Sequence, residues 1–200
     1  MKNHTHPDLT LMVAEQDLPF YTTLLQSGIE IKGRSGETMA AFLDRLPGFT
    51  LDYIADTVQT IFLDGTANDD LTTPLTGKNS TIALSAAMPG LAGAIFRRNS
   101  FHAALRTRTA TKAKETGGDK PPAVTLKLFN SIAAEKGPEL LRRGVTILSG
   151  RLLKFLAPRD GLAGRIKNIS LADDTITTDS LTENLARFET INLKIITTHG

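Results

Sequence analysis

Two stretches of this 200-residue chain carry the same ordered pattern, and that repetition constrains the fold more than any other feature. Leu24-Leu25-x-x-Gly28-Ile29-x-Ile31 in the first half matches Leu140-Leu141-x-x-Gly144-Val145-x-Ile147 in the second. Each continues through a glycine, Gly36 or Gly150, to a Phe-Leu pair at 42–43 or 155–156. Further on, Ile61-x-Leu63-Asp64-Gly65 has its counterpart in Ile169-x-Leu171-Ala172-Asp173, and late strands follow at Thr81–Leu84 and Ile191–Ile195. The leucine pair anchors a helix on a sheet. The glycine ends that helix in a left-handed conformation that costs other residues energy. The β-branched residues after it enter the sheet. The pattern therefore predicts an internal duplication, with two bodies built on one plan.

Eight short runs read as strands: Leu9–Ala14, Ile29–Lys32, Thr60–Leu63, Thr81–Leu84, Val124–Leu128, Val145–Leu148, Ile169–Leu171 and Ile191–Thr197. Alternation is clearest in VTLKL and INLKI, as for a sheet with one buried face. Helices are expected between them. Leu18–Gln26 follows Asp17 as N-cap, with Pro19 in its first turn. Glu37–Leu46 places Met39, Phe42, Leu43 and Leu46 at helical spacing, and Thr50–Ala55 is a short turn of helix. A helix after Val124–Leu128 is expected to stop at Gly137-Pro138, with Glu139–Arg143 separate. Gly150–Leu156 and Leu181–Phe188 complete the set. Asp64-Gly65 and Gly77-Lys78-Asn79 are turn signals.

Residues 97–122 differ from the rest. They hold seven basic and two acidic residues, for a net charge of +5 in a chain whose total is +2. Gly117-Gly118 and Pro121-Pro122 close the stretch, which reads as a linker. The expected organisation is a domain over 1–96, the basic linker over 97–122 and a shorter second domain over 123–200. If Phe96–Arg108 is helical, Arg97, Phe101, Leu105 and Arg108 share a face.

Several chemistries are closed off. The chain has no cysteine, which excludes disulfides, thiolate nucleophiles and zinc–cysteine sites. Its histidines, His4, His6, His102 and His199, lie near the ends or in the linker, where a general base is hardest to hold. His4-x-His6 lacks the third and fourth ligands of a metal site. Asp64, Asn68, Asp69 and Asp70 do not fit the calcium-loop spacing and read as a turn, as do Asp173-Asp174. Gly33-x-x-Gly36 lacks the Lys-Ser/Thr of a P-loop, and Ser85 lacks the nucleophile-elbow glycines. No cofactor, metal or catalytic residue is expected, and the protein reads as non-enzymatic. The uncharged run Ser80–Phe96 is interrupted by Pro89-Gly90 and reads as a buried strand, a turn and an apolar extension rather than a membrane span. With no apolar signal-like stretch near Met1, the expected location is cytoplasmic.

The order strand, helix, strand, helix, strand, turn, strand is an α+β pattern with helices on one face of a mixed sheet. Over Gly36–Gly93 it resembles the β-grasp fold, in particular the MoaD/ThiS-type sulfur-carrier proteins. Glu37–Leu46 looks like the carrier helix. Ile61-Phe62-Leu63-Asp64-Gly65 looks like the family's strand and turn, and Leu75–Leu84 is similar to its run into the last strand. The resemblance implies two tandem β-grasp-like (ubiquitin-like) domains. The family's chemistry sits on a free Gly-Gly terminus. The matching stretch here, Met88-Pro89-Gly90-Leu91-Ala92-Gly93, is internal, so a carrier step needs Gly200 or cleavage after a glycine between 90 and 93. The expected function is a binding or adaptor role through protein–protein contacts. The candidate contact residues are Met88, Pro89, Gly90, Leu91, Gly93 and Phe96, continued by Arg97, Arg98, Arg106 and Arg108. Nucleic-acid binding through the basic segment and a carrier role in cofactor biosynthesis are the alternatives.

Overall fold

Alternating apolar residues set the strands, and threonine side chains start several of the helices between them. The computed structural model describes residues 6–76, 79–88, 90–98, 100–102 and 121–198. In chain order the elements are β1 (Asp8–Ala14), α1 (Leu18–Thr22), β2 (Ile29–Lys32), α2 (Met39–Asp44), α3 (Leu51–Asp56), β3 (Thr60–Leu63), β4 (Thr66–Ala67), β5 (Asn79–Ser85) and α4 (Gly90–Phe96). Then follow β6 (Ala123–Phe129), α5 (Asn130–Arg143), β7 (Val145–Leu148), α6 (Ser149–Leu156), α7 (Asp160–Ala163), β8 (Asn168–Leu171), β9 (Asp174–Ile176), α8 (Thr178–Leu185) and β10 (Thr190–Thr198). The protein is α+β with mixed parallel and antiparallel strand pairing.

The contacts divide the chain into two compact units, one formed by Met1–Ile29 with Gly137–Gly200 and the other by Glu30–Lys136. This division crosses the boundaries at 96 and 123 expected from composition. Strand β1 belongs with the C-terminal elements, and β6 belongs with elements that precede the basic segment. The 97–122 stretch lies largely outside the described residues.

In the Glu30–Lys136 unit the strands lie in the order β4-β3-β5-β6-β2. β5 and β6 pair in parallel over seven residues, from Asn79 opposite Ala123 to Ser85 opposite Phe129. β3 runs antiparallel to both β5 and β4. One face of this sheet, carrying Ile61, Ile82, Leu84, Val124, Leu126 and Leu128, is buried. Met39, Phe42, Leu43, Phe49, Ile54 and Ile132 from the helices and their flanks fill the same interior. The hydroxyls of Thr38 and Thr50 accept from the Ala41 and Tyr53 N–H groups at 3.2 and 3.1 Å, which caps α2 and α3. Glu37 was expected inside the helix but precedes it. Its buried carboxylate takes the Arg34 N–H at 2.9 Å and Arg45 Nε at 2.7 Å. On α3, the Tyr53 hydroxyl donates to Glu135 at 3.2 Å and its ring lies 3.7 Å beneath Lys136 Nζ. Burial first, and then the Glu135 carboxylate, push the Tyr53 phenol up.

The other unit has the order β7-β10-β1-β8-β9. Its centre is a second parallel pair, β1 with β10, again over seven residues. Its buried face carries Leu9, Leu11, Val13, Ile147, Ile169, Ile191, Leu193 and Ile195. Gly28 and Gly144 close the turns after their leucine pairs with φ near 100°, as the repeated pattern anticipates. The hairpins of the two units also correspond. Asp64-Gly65 and Ala172-Asp173 both adopt two successive positive φ angles, the two-residue turn that suits strand twist. The Asp64 N–H donates to Thr81 O and the Ala172 N–H to Asp8 O, each at 2.8 Å. The strand beside the second hairpin is thus β1, the first of the chain, and not Ile191–Ile195 as chain order suggests.

Four local expectations are corrected. Helix α5 runs unbroken through Gly137-Pro138 to Arg143. Gly137 is required there, because a Cβ would come within 2.9 Å of the Thr22 side chain. Asp17 does not cap α1 with its side chain. It is buried and paired with Arg165 at 3.1 Å. The helix expected over Leu181–Phe188 starts earlier, at Thr178, because Thr177 and Ser180 form a reciprocal capping box. Strands β4 and β9, of two and three residues, were not anticipated.

Two outcomes are expected. Fragments 1–102 and 121–200, expressed separately, each lack one strand of a central parallel pair. Neither should show a cooperative urea transition alone, and mixing them should restore one; independent cooperative folding of either would contradict the exchanged strands. The Tyr21 hydroxyl is buried without a hydrogen-bond partner among the described residues, and its pKa is pushed up to about 12 by burial and then by Asp17. Because the folded chain holds this proton more tightly, its contribution is constant below pH 10 and is lost as pH rises from 10 towards 12. Tyr21→Phe should leave stability at neutral pH within ~1 kcal/mol of wild type or raise it, and should flatten that alkaline decline in urea titrations.

Candidate functional site

Strands β3, β5 and β6 each turn alternate residues away from the core of the Glu30–Lys136 unit. In register, Phe62 lies opposite Ala83 and Ala83 opposite Lys127, while Ser85 lies opposite Phe129 and Thr81 opposite Thr125. Apart from the buried Ser85, these residues form a face that is half-buried rather than sealed. The chain leaving β5 returns over it through Met88 and α4. The result is a groove of about 540 Å³, with Phe62, Ala83, Met88 and Phe129 among its apolar lining. Small-molecule pockets run from about 300 to 1,000 Å³.

Helix α4 is held in place by three features. The Phe96 ring sits 5.3 Å from that of Phe62. Gly93 is buried, and a Cβ there would collide with the Met88 carbonyl, so only glycine permits this approach. After the helix, Arg98 Nη1 donates to Ile54 O at 2.9 Å and Val58 O at 3.2 Å, and its N–H donates to Gln59 O at 2.7 Å. Those first two carbonyls lie at the C-terminal end of α3, where backbone partial charge is negative and a cation is favoured. Ser100 Oγ donates to Ala94 O at 2.6 Å.

One polar cluster and one cation mark the groove. Asn130 has φ of 53° at the junction of β6 and α5, and its side-chain amide donates to Ser85 Oγ at 2.9 Å and Ala87 O at 2.6 Å. Among the described residues Lys127 is the only ionisable one in the lining, and it makes no ion pair. Two acids of this unit are engaged by neighbouring threonines. Glu30 accepts from Thr125 Oγ1 at 3.1 Å, and Asp64 accepts the Thr81 N–H at 2.7 Å.

The candidate contact residues divide into groups. Met88 lines the groove, Gly93 and Phe96 dock α4, and Arg98 fastens it. Gly90, at φ of 70°, starts α4 with open space around it. Leu91 and Arg97 are exposed. Pro89, Arg106 and Arg108 lie outside the described residues, as do His4, His199 and the Gly77-Lys78 turn. Helix α4 ends at Phe96, so Arg97 and Phe101 do not share a helical face. The acidic stretch is a turn, in which Asn68 and Asp70 side chains accept the Asp70 and Thr72 N–H groups at 2.8 and 2.9 Å. The Thr72 hydroxyl and N–H hold the Asp70 carboxyl below its usual value. Sequence reasoning missed Phe62, Ala83, Lys127 and Phe129. The signal for Phe62, Ala83 and Lys127 was present, since each alternates with a core residue in a run already read as a strand, whereas Phe129 lies one residue past the expected end of its strand.

Comparison with known proteins finds no matching family model, no matching curated protein and no matching solved structure. Among the described residues no helix is long and apolar enough to cross a membrane, and no cluster of three histidines or acids is placed to hold a metal.

Arg98→Met should lose the two carbonyl bonds and lower stability by about 1–3 kcal/mol in urea denaturation, with faster amide exchange over 90–98. An unchanged midpoint and unchanged exchange would show that the arginine does not fasten α4.

Proposed function

We propose that this is a non-enzymatic binding protein, built of β-grasp-like units, that engages an acidic protein surface through α4 and the residues just after it. The carrying observation is that Leu91 and Phe101 stand 71% and 94% exposed at the two ends of this docked segment. Large apolar side chains displayed in this way mark contact surfaces. Arg97 lies between them, and the run 97–122 that begins there carries +5, so the complementary partner is acidic. Two features support the β-grasp reading: each unit centres on a parallel pair with an antiparallel neighbour beside it, and each sheet holds a hairpin.

A photo-crosslinking residue placed at 91 or 101 of the full chain, in its own cells, should join an acidic protein. The same residue at Leu51, which is 49% exposed on the same unit, should not. Binding of that purified protein should weaken about tenfold in a Leu91→Ala/Phe101→Ala variant, and should fall with added salt. Equal adducts at 51, adducts to nucleic acid alone, or no adducts at either position would overturn this reading.

A further inference from the structure

We infer that the groove floored by Phe62, Ala83 and Phe129 binds a small organic monocarboxylate with an apolar body, its carboxylate held by Lys127. Three observations carry this assignment. The volume, about 540 Å³, is that of a small-molecule site and not of a packing defect. Its walls are two aromatic rings, a methionine and an alanine, so the matching body is apolar. Its charge is one-sided. Lys127 is the only ionisable residue among the described residues of the lining, no carboxylate of the described residues pairs with it, and Glu30 and Asp64 accept hydrogen bonds from Thr125 and Thr81.

The placement of Lys127 suits that chemistry. It faces Ala83 across the β5·β6 ladder and is half-buried in the lining, as suits a long side chain that packs its aliphatic stem on apolar surface and keeps its ammonium in water. A carboxylate there gains a charge-assisted hydrogen bond at the edge of an apolar surface, where water competes less than in the open. At one end of the groove the Ser85 hydroxyl accepts from Asn130, which leaves its own proton to donate. A cation would be repelled by Lys127, and a neutral chain would leave the ammonium without a counter-charge. Leu91 and Phe101 do not line this groove, so the assignment stands or falls separately from the protein partner proposed above.

Decanoate is the probe, titrated into the full chain and followed by calorimetry and by amide shifts, with 1-decanol and decyltrimethylammonium as comparators. Decanoate should shift the amides of Ala83, Lys127 and Phe129 and bind at least fivefold tighter than the alcohol, and the cation should bind most weakly. Lys127→Met should bring decanoate down to the level of 1-decanol while leaving the alcohol unchanged, and Lys127→Arg should keep the preference. Ala83→Trp, which fills the floor, should abolish both. Should Lys127→Met fail to fold, Lys127→Gln makes the same comparison. Equal binding of acid and alcohol, indifference to the lysine substitutions, shifts confined to other surfaces, or no binding at all would each overturn the assignment.

Discussion

Two seven-residue parallel ladders, β5 with β6 and β1 with β10, hold the centres of the two units, and every other element is placed by them. Parallel strands cannot be joined by a tight turn, because the chain must return to the same end before pairing again. Here the return is made by long stretches of chain. β5 and β6 are separated by residues 86–122, and β1 and β10 by nearly the whole sequence. Each unit therefore takes its central pair from both halves of the chain. The cost is the entropy of closing long loops, which grows slowly with their length. What offsets it is the burial of whole strand faces, since Leu9, Leu11, Val13, Leu126 and Leu128 are all fully enclosed.

The groove is a direct consequence of that exchange. Phe62 and Ala83 come from before the basic segment, and Lys127 and Phe129 from after it. Only when β6 lies against β5 do the apolar floor and Lys127 meet. Helix α4 covers part of the same face, and it is fixed by a glycine that allows close backbone approach and an arginine that caps the end of α3. Residues that in the sequence suggested a contact arm thus do two different jobs. Gly93, Phe96 and Arg98 fasten the segment, and Leu91 and Phe101 are displayed by it.

Much of the local structure is legible in the chain. The strands at Ile29–Lys32, Thr60–Leu63 and Val145–Leu148 match the expected residues, since β-branched alternation bounded by glycine or aspartate leaves little choice. The glycines at 28 and 144 mark their turns for the same steric reason. Strand partnership was not legible. β1 and β6 are both seven residues long and share one alternation of exposed, buried and half-buried positions, so nothing local tells which of them lies beside β5. The continuous α5 was hidden because Gly137-Pro138 reads as a break, and only the packing of Gly137 on Thr22 and Leu25 shows its use. The groove went unseen because it depends on partnership, although Phe62 sat in a recognised strand and Phe129 directly followed one.

Engineered disulfides decide the matter, and a chain without cysteine is a clean background for them. Thr81 lies directly opposite Thr125 in the β5·β6 ladder, at a spacing a disulfide can bridge. The account predicts that Thr81→Cys with Thr125→Cys closes an intramolecular bond on mild oxidation of the folded monomer, while Thr81→Cys with Thr10→Cys stays reduced. Closure of the second pair and not the first would place β1 beside β5, restore two self-contained halves, and contradict the exchange from which the groove follows.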